Sequence, residues 1–538
     1  MTGAEAMVKC LEAEGISRVF GYPGVAIAPF YEGLYNSDID HVLVRQEQNA
    51  GHAASGYARM SRKTAVCVVT SGPGATNLIT ALATAYADSI PLVAISGQVS
   101  SKRLGRDVFQ EADMRGATRS FVKHSYLVKD PDDIPRVFKE AFYIASTGRK
   151  GPVLIDIPMD IQEAKLRKPF DYPESVVMRG YKPEIKINMN QLSKVVSLIN
   201  QAERPLICAG GGVILGNGEE VIRDFCEEFN VPLVHTMMGM GVMPKKHPLN
   251  FGMLGNNGKP YANKAVSKSD LLIVVGARIA DRAIPQPENL LRRAVVHIDI
   301  DTAEIGKNMG PTIPLVGDLK EIFTLMLDES IDRKDQKWID ELEEIKRSTV
   351  DTRVFSDKLV NPNILVQMLS EKMEGDAVYI ADVGQNQLWS ADNYVMKGGR
   401  FMTTGGMGTM GYSIPAAIGV KMCAPDKQVV AVCGDGSFQM SMSELATMRV
   451  NEVKLKIVVV RNDYLGLVRE YQFNNYDAHY SGVRLHDWPR YDKIAEAYEL
   501  RYLRCSSTDD LDQMLDEFLA CDDACLLVCD VDSEDRVK

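Results

Sequence analysis

One unit recurs along the sequence: a short apolar run, a glycine-containing turn and then a stretch that favours helix. One example is the predicted strand at 64–70, the turn at 71–74 and the predicted helix at 75–87. Strands that are apolar on both faces are typical of parallel sheets covered by helices on both sides. The pattern therefore predicts an α/β fold built from doubly wound parallel sheets.

The recurring unit falls into three blocks. A chain of 538 residues has room for three or four domains of about 150 residues each. A proline-containing polar segment at 169–183 follows the first block, and a charged segment at 329–357 follows the second. We interpret the charged segment as a solvated helical connection. We expect three doubly wound parallel-sheet domains at 1–170, 185–330 and 360–538, of which the first and third could share a fold.

Charge and cysteine content exclude several classes of partner. Lys and Arg number 61 against 72 Asp and Glu, a net charge of −11, which disfavours general binding to phosphate backbones. No apolar run approaches the roughly 20 residues that span a bilayer, and the first residues do not resemble a signal peptide. The cysteines lie largely in apolar runs, which is typical of a reducing compartment. We expect a cytoplasmic protein with neither nucleic acid nor membrane as a partner.

Three cysteines, Cys521, Cys525 and Cys529, recur at four-residue spacing near the end of the sequence. Such spacing could suggest a metal site. However, no fourth ligand accompanies them, and 525–529 is an apolar run. We interpret Cys525 and Cys529 as core residues of a strand.

The most specific pattern lies at 428–466. A predicted strand at 428–433 leads into Asp435, which two glycines flank. A predicted helix at 439–449 and a predicted strand at 454–460 follow, and Asn462 comes just after that strand. Loops at the carboxyl ends of parallel strands are where ligands bind, and Mg²⁺ prefers oxygen ligands while keeping phosphate in its shell. The segment predicts a site that holds a diphosphate through magnesium. Taken alone, the Gly-Asp-Gly turn could equally be a tight turn whose Asp caps a helix.

This segment resembles the diphosphate-binding motif of thiamine diphosphate enzymes, and 45–59 resembles their activating-glutamate segment. Further runs resemble the catalytic subunit of acetohydroxyacid synthase (acetolactate synthase), so that the resemblance covers roughly 1–330 and 360–535. These runs are 20–24, 70–77, 151–158, 252–255, 276–278, 297–301 and 405–411.

The resemblance implies the thiamine diphosphate enzyme fold, with pyrimidine-binding, central FAD-binding and diphosphate-binding domains. It implies thiamine diphosphate, Mg²⁺ and FAD as cofactors, FAD having no net redox role. The implied reaction decarboxylates one 2-keto acid and joins the remainder to a second, so that two pyruvates give 2-acetolactate and CO2 for branched-chain amino acid biosynthesis. The implied assembly is a homodimer or homotetramer with active sites between subunits, and a small regulatory subunit is a further implied partner.

Roles for individual residues follow from the same resemblance. Glu47 would activate thiamine diphosphate as a buried carboxylic acid, although by itself it could be a surface residue favoured at a helix start. The reaction chamber is expected at Gly24, Phe109 and Gln110. The magnesium ligands are expected to be Asp435, Asn462 and the backbone carbonyl of Tyr464.

The larger residue sets are implied in the same way. The other residues expected at thiamine diphosphate are Pro23, Pro73, Asn77, Val383, Gly384, Gln385, Asn386, Gly408, Met410, Gly434, Gly436, Ser437, Leu465 and Gly466. The substrate pocket is expected at Leu467, Val468 and Tyr471. The FAD set is Arg149, Gly210, Gly211, Gly212, Thr236, Met237, Met238, Leu254, Gly276, Arg278, Arg282, Asp299, Ile300 and Asp318.

Several positions depart from the family pattern and keep alternatives open. Asp463 replaces an asparagine, Met159 a lysine, Asn386 a histidine and Tyr471 a tryptophan, and 256–257 and 279–281 also differ. These changes motivate a related thiamine diphosphate-dependent 2-keto acid decarboxylase, or a C–C lyase or hydrolase, with a different acceptor. A third alternative is an inactive flavin-binding paralogue, against which the presence of Glu47, Asp435 and Asn462 argues.

Overall fold

The computed structural model describes residues 1–284, 293–310, 312–350, 353 and 355–537. Within these described residues the strands form three parallel sheets of six strands each, with helices interleaved between the strands. The predicted α/β fold with three parallel sheets is confirmed. No helix in the described ranges is long and apolar enough to cross a membrane.

The first sheet has its strands in the order β2-β1-β3-β4-β6-β5. The side chains of β3 and β4 alternate between two buried clusters, one with Val66 and Val68 and the other with Cys67 and Val69, so both faces of the sheet are covered. Its strands are β1 (Arg18–Tyr22), β2 (Asp40–Leu43), β3 (Ala65–Val69), β4 (Leu92–Gln98), β5 (His124–Leu127) and β6 (Pro152–Pro158). Its helices are α1 (Gly3–Ala13), α2 (Ala28–Tyr35), α3 (Glu47–Ser61), α4 (Pro73–Thr76), α5 (Ile79–Ala87), α6 (Met114–Thr118), α7 (Ile134–Ser146) and α8 (Met159–Glu163).

The second sheet has the order β12-β11-β10-β7-β8-β9, so the strand order reverses between β10 and β7. Such a reversal opens a crevice at the carboxyl ends of the strands. The strands are β7 (Pro205–Ala209), β8 (Leu233–His235), β9 (Asn250–Met253), β10 (Leu271–Val275), β11 (Ala294–Asp299) and β12 (Ile313–Val316). The helices are α9 (Met189–Gln201), α10 (Gly211–Leu215), α11 (Glu219–Phe229), α12 (Pro260–Lys268), α13 (Leu319–Leu327) and α14 (Gln336–Ser348).

Helix α14 corrects one prediction. The charged segment 329–357 contains the expected helix, Gln336–Ser348, but this helix is not a solvated connection, because Trp338 and Leu342 are buried in the core of the second sheet. The indole N–H of Trp338 donates a hydrogen bond of 3.0 Å to the carbonyl of Pro205. The apolar residues recur at helical spacing beneath the charges, which anchors the helix. Positions 351, 352 and 354 of this segment lie outside the described residues, as does Lys538.

The third sheet has the order β14-β13-β15-β16-β18-β17, which is the order of the first sheet, and both its faces are buried. Cys525 and Cys529 are buried free thiols in β18, which confirms that they are core residues. The strands are β13 (Val378–Ala381), β14 (Arg400–Met402), β15 (Val429–Gly434), β16 (Lys456–Arg461), β17 (Arg501–Cys505) and β18 (Cys525–Asp530). The helices are α15 (Pro362–Lys372), α16 (Gln385–Asn393), α17 (Ser413–Cys423), α18 (Asp435–Ser441), α19 (Glu444–Val450), α20 (Gly466–Asn475), α21 (Tyr491–Ala497) and α22 (Leu511–Ala520).

Two helices of small residues, α3 and α17, join the first and third sheets. A methyl group added at Gly56 would overlap the carbonyl of Ala416, and one added at Gly419 would overlap the carbonyl of Ala53. The two backbones are therefore in direct contact, which only glycine at these positions permits. This contact fixes the start of α3, where Glu47 lies, relative to the third sheet.

Candidate active site

Asp435 lies at the centre of the third edge, which we define as the carboxyl ends of β13–β16. It follows β15 directly and is only 3% exposed. Its Oδ1 accepts the N–H of Gly436 (2.9 Å), and its Oδ2 accepts the N–H groups of Asn462 (3.1 Å) and Asp463 (2.6 Å). Burial raises the pKa of this carboxyl to about 6, and the three N–H groups oppose that rise. A buried carboxylate bonded by neutral N–H groups is suited to a cation.

The turn after β16 brings Asn462, which carries a second side-chain oxygen, next to Asp435. The Oδ1 of Asn462 accepts the N–H of Tyr464 at 3.1 Å, and its amide donates to Oε1 of Gln385 at 3.1 Å. Asp463 adopts φ 62°, a left-handed conformation that Asn and Asp tolerate well. Its carboxylate accepts two bonds from Arg461 (2.8 and 3.0 Å). The aspartate therefore keeps the turn that an asparagine would make.

A second buried carboxylate, Asp382, holds two loops of the third edge together. It follows β13, is fully buried and accepts the N–H groups of Val383 (2.8 Å), Gly411 (2.9 Å) and Ser413 (2.8 Å). Burial raises the pKa of Asp382, and the bonds from Ser413 and Val383 lower it. Asp382 thus ties the loop that carries Gly408 and Met410 to the strand end that carries Val383.

Glycines leave the third edge open. No atom of the described residues lies within 4 Å of the position that a Cβ on Gly384 would occupy, and Gly408 has only Val383 at 4.0 Å. Both glycines have positive φ, 131° and 64°. Gly436 is packed more closely, because a Cβ there would lie 2.8 Å from Leu465 and 3.4 Å from Met410. The edge thus offers accessible backbone and space, as a phosphate site requires.

The remaining predicted residues of this edge divide into two groups. Asn386 uses its amide inside the chain, donating to the carbonyls of Asp382 (3.2 Å) and Val432 (2.8 Å), and Ser437 donates to the carbonyl of Val383 (3.2 Å). These side chains brace the strand ends. The expected substrate-pocket residues are partly to largely exposed on the first turns of α20, beside Gly466: they are Leu467, Val468 and Tyr471.

Glu47 lies at the first edge, defined as the carboxyl ends of β1–β4, where it is half-buried and begins α3. The amide of Asn77 donates to its Oε2 at 2.9 Å. A Cβ on Gly74 would lie 3.3 Å from its Oε1 and 2.7 Å from Thr70, and Gly24 also abuts Thr70. The structure therefore brings Glu47, Asn77 and Gly24 together, with Pro23 and Pro73 in the adjoining turns.

The loop between β4 and α6 carries Phe109 and Gln110. Gln110 adopts φ 60° and packs its Cβ against Gly72, within the first edge. The loop is anchored by Gln98, whose amide donates to the carbonyl of Ala112 at 2.7 Å. Phe109 is 88% exposed, so it lies at the rim rather than in a formed pocket of the single chain.

The predicted glycine triplet lies at the central edge, the carboxyl ends of β7–β12. Gly210 donates its N–H to Val275 (2.9 Å) and Gly212 donates to Gly276 (2.9 Å), so two of the three glycines serve the contact between neighbouring strand-end loops. Gly276 has φ 55°. Gly211 begins α10 beside Met238. The triplet thus lies at the strand-order reversal, where backbone can approach a ligand.

The other predicted residues of the central edge follow its remaining strands. Arg149, from the first sheet, donates to Asp301 (3.2 Å), Glu304 (2.8 Å) and Ser89 (3.0 Å). Burial raises the pKa of Asp299 to about 6. The rest occupy the ends of β8, β9, β10, β11 and β12: they are Thr236, Met237, Met238, Leu254, the exposed Arg278 and Arg282, Ile300 and Asp318, which caps α13.

Sequence reasoning missed two buried carboxylates, Asp382 and Glu444. Asp382 could have been found, because it follows an apolar strand and lies two residues before Gly384, much as Asp435 follows an apolar strand and lies one residue before Gly436. Glu444 gives no such signal, since its partners are Arg45 and Asn49, some 400 positions away.

The main carboxylate of each edge bonds with residues of its own edge. Glu47 bonds with Asn77 of the first edge, whereas Asp435 bonds with Asn462 and Asp463 of the third edge. The first edge presents one half-buried carboxylate and glycine backbone. The third presents a buried carboxylate, an amide oxygen and open glycine turns. The first arrangement can move a proton, and the second can bind a cation with a phosphate.

Three family models match the sequence along its length. Residues 1–117 match the thiamine pyrophosphate enzyme N-terminal TPP binding domain, 192–326 the central domain and 382–529 the C-terminal TPP binding domain. The first and third matches contain the first and third edges.

Curated relatives cover nearly the whole chain. The probable acetolactate synthase large subunit of Methanocaldococcus jannaschii is 42% identical over 98% of this chain and 91% of its own length. The acetolactate synthase large subunit of Corynebacterium glutamicum is 43% identical over 91% of this chain and 80% of its own. The acetolactate synthase of Mycobacterium bovis is 41% identical over 98% and 88%.

Proposed function

The chain belongs to the thiamine pyrophosphate enzymes, in the family of acetolactate synthase large subunits, and we propose how its residues divide the work. It is a thiamine diphosphate-dependent enzyme that condenses two molecules of pyruvate to 2-acetolactate with release of CO2. The proposal about its residues rests on one observation above all. Asp435 and Asn462 lie together beside open glycine turns at the third edge, and Glu47 lies at the first edge with one hydrogen-bond partner, Asn77.

We assign the third edge to Mg²⁺ and the diphosphate. Asp435, Asn462 and the carbonyl of Tyr464 supply three oxygen ligands, which suit Mg²⁺. The open turns at Gly384 and Gly408 supply backbone N–H groups and space for phosphate oxygens. A cation here would also compensate the buried charge of Asp435.

We assign the first edge to proton transfer. Thiamine diphosphate, when bound, supplies the nucleophilic carbon and takes up the electron pair left by decarboxylation. Glu47 would hold the proton on its pyrimidine nitrogen, and Asn77 fixes the carboxyl by its 2.9 Å bond. We propose that the N–H of Gly24 binds an oxyanion and that Gln110, which packs against Gly72 of the first edge, lines the same chamber. Phe109 would exclude water from the chamber.

We further propose that the acceptor substrate lies along α20. Leu467, Val468 and Tyr471 are exposed there, next to the turn that carries Asn462. Tyr471 offers both an apolar ring and a hydroxyl, so it suits a small 2-keto acid with a polar head. The role that follows is in branched-chain amino acid biosynthesis.

FAD fits the central edge. The edge lies at the strand-order reversal, where a crevice opens, and the exposed Arg278 and Arg282 supply positive charge for a dinucleotide. Asp299 and Asp318, at neighbouring strand ends, are acceptors for hydroxyl or amino groups. An absorbance spectrum of the purified protein tests this assignment, since bound flavin absorbs visible light.

The divided edges also suggest the assembly. We propose that the domains span 1–170, 185–330 and 360–538, and that a homodimer or homotetramer pairs the first edge of one copy with the third edge of another. We propose a small regulatory subunit as a further partner, because two relatives are named large subunits. Ten free thiols favour a reducing cytoplasm.

The decisive assay is product analysis with pyruvate, thiamine diphosphate, Mg²⁺ and FAD. We expect 2-acetolactate and CO2 in equal amounts. Release of CO2 without acetolactate would favour a decarboxylase, and cleavage of a cyclic diketone would favour a lyase or hydrolase; either would contradict the ligation.

A further inference from the structure

Glu444, a fully buried carboxylate of the third sheet, contacts the segment that carries Glu47 in the first sheet. It begins α19, nine residues after Asp435. Its Oε1 accepts the backbone N–H of Arg45 at 3.0 Å and the side-chain amide of Asn49 at 2.9 Å. These two donors lie two residues on either side of Glu47.

Further bonds complete the contact. The hydroxyl of Thr447 donates to Oε2 of Glu444 at 2.6 Å and lies 3.3 Å from the carbonyl of Leu43, the last residue of β2. Both carboxylate oxygens of Glu444 are therefore used. Burial raises the pKa of Glu444, and the bonds from Thr447, Asn49 and Arg45 lower it.

The turn between β2 and α3 has few other fixed points. Gln46 forms the N-terminal boundary of α3 without a side-chain cap, and its carbonyl accepts the N–H groups of Asn49 and Ala50. The carboxyl of Glu47 itself bonds only once in the described residues, with Asn77. The direction in which Glu47 leaves the backbone therefore depends on how Arg45 and Asn49 are held.

We propose that Glu444 is a positioning residue for Glu47, which it holds through Arg45 and Asn49. This inference rests on the proposed role of Glu47. It means that the third sheet contributes to proton transfer at the first edge, in addition to binding magnesium and diphosphate. A carboxylate suits this task, because one oxygen can accept two donors while the other binds its own helix.

The test compares Glu444→Met, which removes the acceptor at similar length, with Glu444→Gln, which keeps an acceptor oxygen for Arg45 and Asn49. Asn49→Ala is a milder variant that removes one donor and serves if Glu444→Met does not fold. Two quantities are measured: backbone amide exchange of segment 43–50 in cofactor-free protein, and exchange of the C2 proton of thiamine diphosphate in the protein saturated with cofactor and Mg²⁺.

We expect Glu444→Met to speed exchange of the Arg45 amide about tenfold, as loss of one buried hydrogen bond allows. We expect it to slow C2 proton exchange about tenfold or more through misplacement of Glu47, with cofactor affinity within about threefold. Glu444→Gln should stay within about threefold of the parent in both measurements. Asn49→Ala should shift both in the direction of Glu444→Met, by about threefold.

Two results would overturn the proposal. One is an unchanged exchange rate of the Arg45 backbone amide in Glu444→Met, or in Asn49→Ala if only that variant folds. The other is faster exchange of the Arg45 amide together with an unchanged exchange rate of the C2 proton. Glu47→Gln is the reference: if it exchanges the C2 proton at the parent rate, the role proposed for Glu47 fails and this inference with it. The amide measurement, made without cofactor, still reports whether the Glu444 contact exists, so the two failures are distinguishable.

Discussion

The first and third sheets have the same strand order but different chemistry at corresponding strand ends. The end of β1 carries Gly24, and the end of β13 carries Asp382 and Gly384. The end of β3 leads to Asn77, and the end of β15 to Asp435. The sheet fixes where these turns lie, whereas in the proposed assignment the turn residues decide whether the edge binds a cation or moves a proton.

The two edges differ most in the burial and the hydrogen bonding of their carboxylates. The third edge buries Asp382 and Asp435 and surrounds each with backbone N–H groups. The first edge leaves Glu47 half-buried with a single amide partner. A carboxylate in a tight cage of donors is suited to holding a fixed charge, whereas one with a single partner can exchange a proton. The difference predicts distinct consequences for substitutions at the two edges.

The largest effect is expected at the first edge. Glu47→Gln should reduce acetolactate formation about 10³-fold, because the amide cannot exchange a proton, while affinity for thiamine diphosphate and Mg²⁺ stays near the parent value. Steady-state rates and calorimetric titration with the cofactor measure the two quantities.

The control is Glu12→Gln, an exposed glutamate on α1 that should leave the rate unchanged. A Glu47→Gln enzyme with parent activity would remove the functional distinction between the edges.

The next largest effect is expected on stability, at the contact between α3 and α17 that joins the first and third sheets. Gly419→Ala should lower the free energy of unfolding by about 3 kcal/mol, since the added methyl overlaps the carbonyl of Ala53. Alanine would otherwise favour the helix by about 1 kcal/mol. The control is Gly375→Ala, where no described atom lies within 4 Å of the added methyl. Equal unfolding curves for the two variants would contradict the close packing of α3 and α17.

Corresponding strands β6 and β18 give a contrast in pH dependence. Burial raises the pKa of Asp156 on β6 to about 7, with Ser96 (2.6 Å) and Gln98 (3.0 Å) as donors, whereas Asp530 on β18 bonds with Arg461 and Arg504. Since the folded state holds the Asp156 proton up to a higher pH than the unfolded chain, its contribution to stability is lost as pH rises from 5 to 8.

Asp156→Asn does not titrate, so its stability relative to the parent should improve by about 2 kcal/mol over that interval. Asp530→Asn should destabilise throughout the interval, because two arginines lose a partner. Thermal unfolding of both variants at pH 5, 6, 7 and 8 measures the trend. A relative stability of Asp156→Asn that falls with pH would contradict the assignment.

The smallest effect is expected at Asp463. Asp463→Asn should keep Mg²⁺ affinity, because the bond from residue 463 to Asp435 comes from the backbone N–H. It should lower the free energy of unfolding by less than about 1 kcal/mol, because the lost ion pair with Arg461 is partly exposed. Asp463→Val should weaken Mg²⁺ binding, since a β-branched residue resists φ 62°. Equal loss in both variants would mean that the carboxylate itself matters.

Much of the third edge could be predicted from the sequence. The strand expected at 428–433 is β15 (Val429–Gly434), and the strand expected at 454–460 is β16 (Lys456–Arg461). Both are apolar runs that end in polar turn residues, so local pattern suffices. The helix expected at 439–449 is divided into α18 and α19, and the sequence there has neither glycine nor proline to mark the break.

Contacts between distant segments could not be predicted. The packing of Gly56 on Ala416 and the bonds from Arg45 and Asn49 to Glu444 depend on how two sheets meet. Periodicity reports which face of one element is buried, but not which element covers it. For the same reason the sequence of α14, which is rich in charged residues, did not show that its apolar face packs on the second sheet. The assignment of Glu47 depended on family resemblance, since a glutamate at a helix start is common.

The proposed pairing of the first edge of one copy with the third edge of another is tested most directly by hybrid dimers. Copies carrying Glu47→Gln and copies carrying Asp435→Asn are co-expressed with different tags, and the hybrid is isolated by two affinity steps. Each variant alone should be nearly inactive. The hybrid should regain about half of the parent activity per dimer, because one of its two sites combines an intact Glu47 with an intact Asp435. A hybrid no more active than the two variants would contradict the shared site.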